Sequence, residues 1–319
     1  MPEIAGLSGE KKGKWLKIEL SVSPLLIDAL SNFLTEIGVP GAFQEELLPQ
    51  SPGDFEVSDT REVLKAYLPF DGHLEDRVAS LNTYLDSVSG LFPGMEEPRL
   101  SMEIVADQDW GEEWKKYFKP LRVSKNIVIK PTWERYTPAG RDIVIEIDPG
   151  MAFGTGQHPS TRICLEAIEA ILLKERGVKK WRVLDVGTGT GILGISCAKL
   201  GAERVVCVDI DKKAASIARE NALINNVADR VEIINCDVNT ITEPFDLIVA
   251  NLTAKILLRL RDHLISLIEK DGYLVISGII DQNKTDIESQ FLKGTLSVHQ
   301  IIADKEWVCY VLQKKGSQP

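Results

Sequence analysis

Apolar positions change their spacing along this chain, and the changes mark two kinds of structure. Near the start Trp15, Leu16, Ile18 and Leu20 follow the two-residue period of a strand. Pro24 then opens a stretch, 25–37, in which Leu26, Ile27, Leu30, Phe33, Leu34 and Ile37 have helical spacing, ended by Gly38-Val39-Pro40-Gly41. Short strands are predicted over 42–48 and 62–70, a second helix over 73–88 and a strand over 99–106. The order β-α-β-β-α-β is that of a ferredoxin-like α+β domain.

Residues 107–120 break this pattern. Trp110, Trp114, Tyr117 and Phe118 lie in one polar stretch ended by Pro120, and Trp110 and Trp114 would share a helix face. This reads as a linker helix packing its aromatics at a domain junction, or as a surface for a partner. From 121 onward strands and helices alternate. Strands are predicted over 127–130 and 143–147, then a turn-rich loop over 148–159 and a helix over 160–173. Strands at 182–186, 204–209, 231–236, 245–250 and 273–277 are separated by helices at 191–200, 212–225 and 253–268. That regularity implies a parallel, doubly wound sheet. The final strands, 296–302 and 307–312, flank Ala303-Asp304-Lys305-Glu306 and predict an antiparallel hairpin. The expected layout is an N-terminal domain over 1–106, a linker over 107–120 and a larger Rossmann-like α/β domain over 121–319.

Charge sharpens the division. The 319 residues carry a net charge of −10, and all of the excess falls in residues 1–106, with 18 Asp and Glu against 8 Lys and Arg; 107–319 have 29 of each. Such a segment repels a phosphate backbone and attracts a basic protein, so no direct nucleic-acid binding is expected; it would also serve as a solubilising surface. No stretch approaches the roughly 20 apolar residues of a membrane span, and the polar, lysine-bearing first 15 residues predict no signal peptide. Cys164, Cys197, Cys207, Cys236 and Cys309 lie apart without a C-x-x-C spacing, and the four histidines are scattered. They read as small buried hydrophobes in a reducing cytoplasm, with no metal site expected.

The chemistry concentrates where strands of the second half end. Asp185-Val186-Gly187-Thr188-Gly189-Thr190-Gly191 follows one strand and opens the next helix, where glycines allow a tight turn and close approach of a ligand to the backbone. Gly189-x-Gly191-x-x-Gly194, with Asp209 twenty residues on, satisfies a dinucleotide fingerprint. The longer D-x-G-x-G-x-G pattern beginning at Asp185 is that of enzymes using S-adenosylmethionine. A dinucleotide must seat a pyrophosphate dianion on the helix N-terminus, whereas an acidic Asp185 suits a cationic sulfonium. Asp209 is placed to accept from both ribose hydroxyls, with Ile210 beside it, while Asp211 reads as a helix cap. Asp237 ends the third strand, either where adenine would lie or simply in a polar loop. The fourth strand ends in Ala250-Asn251-Leu252-Thr253. Asn251, helped by the backbone at Leu252, is the candidate for holding a target nitrogen: transfer from an activated sulfonium needs alignment more than strong acid or base, and an amide oxygen accepts an amine N–H. The alternative is that Asn251 and Thr253 only cap the next helix.

Together with these motifs, Asp148-Pro149-Gly150-Met151-Ala152-Phe153-Gly154-Thr155-Gly156-x-His158-Pro159-x-Thr161 resembles the signature of the PrmA family, the bacterial methyltransferases of protein eleven of the large ribosomal subunit. The likeness is strongest over 146–280. It implies an N-terminal substrate-recognition domain, a linker and a class I methyltransferase domain. It also implies S-adenosylmethionine as methyl donor, leaving as S-adenosylhomocysteine, and lysine ε-amines of a basic ribosomal protein, with the N-terminal α-amine in some members, as targets methylated up to the trimethyl state. Carried over by motif, Thr161, Gly187, Asp209 and Asn251 would contact the cofactor, with Asp185, Gly189, Gly191, Ile210 and Asp237 around it, and Phe153, Gly154 and Thr155 would close over it. The acidic first third suits a basic substrate bound by a monomer in the cytoplasm. Asn251-Leu252-Thr253 lacks the paired prolines of amide-nitrogen and adenine methyltransferases, which argues against those substrates. The competing readings are a nicotinamide-dependent dehydrogenase, a lysine methyltransferase of another protein, and a non-catalytic S-adenosylmethionine-binding assembly factor.

Overall fold

The computed structural model describes residues 14–23, 26, 30, 33–34, 37, 39, 42–45, 62–91, 97–106, 119–148, 156, 158–174 and 179–315. The chain divides into two compact units, Met1–Tyr117 and Phe118–Pro319.

In the first unit, strands β1 (Lys14–Val22), β2 (Ala42–Glu45), β3 (Glu62–Pro69) and β4 (Arg99–Ala106) form an antiparallel sheet in the order β2-β3-β1-β4, with helix α1 (Leu74–Leu91) between β3 and β4. This is the split βαβ arrangement that the order of elements implies. The strand period is visible in burial: Leu16, Ile18, Leu20 and Val22 are buried, whereas Lys17 and Glu19 on the opposite face form an ion pair. Leu26, Leu30 and Leu34 join the same core, and Phe33 stacks on Tyr84 of α1 at 4.0 Å. The predicted aromatic turn at Trp110 and Trp114 lies outside the described residues.

The second unit holds two sheets. β5 (Leu121–Arg122), β6 (Ile127–Lys130) and β7 (Ile143–Glu146) form a small one, with β6 and β7 parallel. The large sheet runs β10-β9-β8-β11-β12-β14-β13. Its strands β8 (Arg182–Val186), β9 (Arg204–Asp209), β10 (Val231–Asn235), β11 (Phe245–Asn251) and β12 (Ile268–Ile280) are parallel, and β13 (Leu296–Asp304) and β14 (Trp307–Lys314) form the antiparallel hairpin. Helices α2 (Pro159–Lys174), α3 (Ile192–Leu200), α4 (Lys212–Ile224), α5 (Ala254–Ser266) and α6 (Lys284–Phe291) cover it. Two apolar cores occupy the two faces of the sheet, one including Val183, Cys197, Cys207 and Leu247, the other Leu184, Val206, Ile248 and Leu257. Strands buried on both faces read as continuous apolar runs, which is why their bounds were legible.

Two details depart from the sequence reading. The helix predicted to 268 ends at Ser266, and the following strand is longer than predicted, because Phe245 pairs with Ile268 before a bulge at Asp271-Gly272. α6 was not expected: only Ile287 and Phe291 of its eight residues are buried, too few to give a period.

Sheet order sets the site. Successive strands are added outward from β8 in one direction and from β11 in the other, so the connections after β8 and β11 leave on opposite sides. Such a switch point is where open α/β sheets form their ligand crevice, outside the carboxyl ends of the strands, here those of β8 and β11.

Candidate active site

The loop after β8 is built by glycines in the left-handed region: Gly187 (φ 69°), Gly189 (φ 55°) and Gly191 (φ 85°), the last capping α3. Backbone N–H groups of Gly187 and Thr188 donate to the Val208 carbonyl at 2.9 and 3.1 Å, and Gly191 N–H closes the turn on Thr188 O at 2.9 Å. Gly187 is left exposed, backbone toward the crevice.

Asp185 does not line the crevice, contrary to the expectation that it would face a ligand. Its carboxyl is 1% exposed, and Oδ2 accepts from the Thr188 hydroxyl at 2.6 Å and from Gly194 N–H at 2.9 Å. Side chains alternate along a strand, and this one points to the face covered by α3, where Gly194 leaves so little space that a Cβ would lie 2.3 Å from Cys207 Sγ. Asp185 is thus the staple of the loop. Burial pushes its pKa up to about 6, and Oδ1 is buried with no hydrogen-bond partner among the described residues. One N-terminal N–H of α3 is therefore already satisfied by a carboxylate, which opposes a pyrophosphate there. Gly194, the third glycine of the dinucleotide fingerprint, is explained by packing alone.

Asp209 ends β9 with its side chain half-buried. Oδ2 accepts from Gly189 N–H and Oδ1 from Asp211 N–H, both at 2.9 Å. An ionised carboxylate has about four acceptor sites, so capacity remains for hydroxyls. Ile210 beside it is 79% exposed, an unusual place for so large an apolar side chain. Asn235, which the sequence reading passed over, donates to the carbonyls of both Asp209 and Ile210 at 2.9 and 3.0 Å and fixes this edge of the crevice. Asp211 caps α4 through Lys213 N–H as expected. Asp237 is exposed and caps the 3-10 turn Val238–Thr240, accepting from Asn239 N–H at 2.9 Å.

Asn251 and Leu252 arrive from β11 on the other side. Leu252 N–H donates to Ser277 O at 3.0 Å, and the Leu252 side chain lies against Gly187, where a Cβ would meet its Cδ2 at 2.6 Å. Gly278 (φ 80°) admits the Leu252 backbone, whose carbonyl oxygen would be 2.4 Å from a Cβ there. Leu252 is thus wedged between two glycines, and Gly278 is a second residue the sequence reading missed. Asn251 is half-buried and its Nδ2 donates to Thr161 Oγ1 at 3.2 Å. Thr253 caps α5 without a side-chain hydrogen bond, so the purely capping alternative for this pair has no support.

Thr161 lies in the first turn of α2, 1% exposed, its N–H donating to His158 O at 3.0 Å. His158 itself is largely buried, edge-on to Trp307 at 4.6 Å between ring centroids, and burial pushes its pKa down to about 4, with nearby Arg162 adding to the effect. Phe153, Gly154 and Thr155 lie outside the described residues. The segment leading to them is held by two asparagines that sequence reasoning also missed. Asn225 pairs with the backbone of Glu146 (2.9 and 2.6 Å) and Asn221 with that of Asp148 (3.1 and 3.4 Å), while Asn221 Nδ2 also reaches Thr190 O at 2.9 Å. The two amides thus tie β7 to the glycine loop. Asn221 is buried within α4 and Asn225 is its C-cap, and nothing local marks their backbone partners, 73 and 79 residues away.

Similarity to known proteins identifies the family. Residues 14–315 match the family model described as ribosomal protein L11 methyltransferase (PrmA). The ribosomal protein L11 methyltransferase of Geotalea daltonii is 37% identical over 305 residues, covering 93% of this chain and 97% of that protein. The one from Bacillus licheniformis is 34% identical over 318 residues, covering 94% and 100%. Among solved structures, a ribosomal protein L11 methylase from Lactobacillus delbrueckii subsp. bulgaricus superposes with a TM-score of 0.56 at 32% identity, covering 62% of this chain and all of that one.

Proposed function

Since the chain belongs to the PrmA family of ribosomal protein L11 methyltransferases, we propose that it methylates lysine ε-amines of ribosomal protein L11 at the carboxyl ends of β8 and β11. The observation that carries this reading is the convergence of Gly187, Asp209 and Asn251 on the carboxyl ends of adjacent strands, with Thr161 behind Asn251. S-adenosylmethionine, when bound, supplies a methyl group activated on a sulfonium. The residues suit it. Asp209 has acceptor sites for ribose hydroxyls, exposed Ile210 offers an apolar face for adenine with Asp237 nearby, and the Gly187–Gly191 backbone allows close approach, with no demand for a phosphate site. The orphaned Asp185 Oδ1 places negative charge beneath the loop, in keeping with a cationic ligand. Phe153, Gly154 and Thr155 complete the cofactor set as a closing loop.

On the other side of the transfer, a lysine amine with a pKa near 10.4 must lose its proton and then aim its lone pair. The Asn251 amide oxygen and the backbone at Leu252 serve as acceptors for the remaining N–H groups, which aligns the nitrogen without a catalytic carboxylate. The N-terminal unit, with the excess acidic charge of residues 1–106, recognises the basic substrate, and residues 107–120 link it to the catalytic unit. No helix among the described residues is long and apolar enough to cross a membrane, and we place the enzyme in the cytoplasm as a monomer that binds protein and not nucleic acid.

The test is intact-mass spectrometry of recombinant L11 after incubation with enzyme and S-adenosylmethionine. Mass gains in whole methyl units are expected, lost with Asn251→Ala while calorimetric S-adenosylmethionine affinity falls far less. No gain with the wild type, or equal losses of turnover and affinity in the variant, would refute the assignment.

A further inference from the structure

Strand β7 is the outer strand of the small sheet, and its outer edge is met by side chains of α4. Ile147 N–H donates inward to Lys130 O at 2.9 Å, so the backbone groups of Glu146 and Asp148 point the other way, toward α4. There each residue meets an amide. Asn225 Oδ1 accepts from Glu146 N–H at 2.9 Å, and its Nδ2 donates to Glu146 O at 2.6 Å. Asn221 Oδ1 accepts from Asp148 N–H at 3.1 Å, and its Nδ2 donates to Asp148 O at 3.4 Å. The spacing permits this, because four helical residues rise about 6 Å and two strand residues about 6.6 Å. A backbone N–H only donates and a carbonyl only accepts, so each amide can be turned one way alone.

The two asparagines, both buried, differ in one contact. Asn221 Nδ2 has a second N–H, which donates to Thr190 O at 2.9 Å, inside the glycine loop. The remaining bond of Asn225 returns to its own helix, at Asn221 O (2.8 Å). α4 meets the loop again on the same face three residues earlier, where a Cβ on Gly191 would lie 3.2 Å from that of Ala218.

We propose that Asn221 is a positioning residue for S-adenosylmethionine binding, acting through the Thr190 carbonyl. It holds the far end of the glycine loop, while Val208 O and the Asp209 carboxylate hold the near end. The inference rests on the reading above that the backbone from Gly187 to Gly191 lies against the cofactor. With both ends fixed the loop meets its ligand already shaped, and binding does not have to order it. Asn225 makes the same edge pairing without a bond to the loop, so the molecule carries its own control for the structural part of the role.

The experiment compares Asn221→Leu with Asn225→Leu in the full chain. Each replacement is close in volume, and each leaves one N–H and one C=O of the β7 edge without its partner, so urea midpoints should fall to a similar extent. Calorimetry then reads S-adenosylmethionine affinity. Asn221→Leu should weaken it about fivefold or more, about 1 kcal/mol for one hydrogen bond, and Asn225→Leu should leave it within about twofold. In transfer to L11 the Asn221→Leu defect should appear as a raised KM for S-adenosylmethionine, with the KM for L11 unchanged. Equal losses of affinity in the two variants, or an Asn221→Leu affinity within twofold of wild type, would overturn the proposal. Should a leucine variant fail to fold, Asn221→Ser and Asn225→Ser, which leave room for water, make the same comparison. If either of those also unfolds, the amides are structural groups and the proposal falls. Asp209→Ala separates this inference from the reading it rests on. If affinity survives that change as well as Asn221→Leu, the cofactor lies elsewhere and both readings fall; if only Asp209→Ala lowers it, this proposal alone falls.

Discussion

Single residues in this protein divide into those that touch the crevice and those that hold it open. Asp209 belongs to the first group. If it binds ribose, Asp209→Ala should weaken S-adenosylmethionine binding by about 1.5–3 kcal/mol, the range for hydrogen bonds to a charged group; unchanged calorimetric affinity would refute the assignment. Asp185 belongs to the second. Its folded pKa of about 6 lies above the ordinary 3.8, so the folded state holds a proton that the unfolded state has released. Stability from this group therefore falls as pH rises from about 4 to about 6, and the cost of the buried charge is present in full above that. Asp185→Asn should gain roughly 1–3 kcal/mol at pH 7.5, and the gain should vanish near pH 4. Chemical denaturation from pH 4 to 8 checks this, and parallel curves for variant and wild type would exclude it. Both aspartates stood out in the sequence because each ends an apolar strand, but the two were indistinguishable there. Only the direction of the side chain, one toward α3 and one toward the crevice, separates them.

Among elements, the loop after β11 shows how glycine placement makes a site. Gly278 lies in β12 with φ 80°, facing the Leu252 carbonyl, whereas Gly140, with φ 61°, has nothing near its missing Cβ. Gly140→Ala should cost about 1 kcal/mol from backbone strain alone. Gly278→Ala should cost about 2–4 kcal/mol and also lower turnover, since it pushes Asn251-Leu252 out of register. Equal costs, with activity intact in both, would show that the close approach has no part in the site. The central strands and their helices were readable because strands buried on both sides are uninterrupted apolar runs. The asparagines of α4 were not, because an amide's partner lies 73 to 79 residues away and leaves no periodic trace.

For the whole molecule, the two compact units predict separable roles. If the acidic charge of residues 1–106 attracts the basic partner, a fragment of residues 118–319 should bind S-adenosylmethionine with the affinity of the full chain yet fail to methylate L11. Calorimetry and mass spectrometry on the fragment test both halves, and full activity without the N-terminal unit would remove its recognition role. By itself the sequence determined the order and kind of elements, the asymmetry of charge and the motifs at the strand ends, all of which are local in the chain. It could not determine which ends meet. That Thr161 stands behind Asn251, that Leu252 fills the space left by Gly187 and Gly278, and that Asp185 turns inward while Asp209 remains available were decided by strand order and register. Those bring together residues far apart in the chain, 90 positions for Thr161 and Asn251, through contacts whose energies depend on distances of a few ångströms and not on neighbours in sequence.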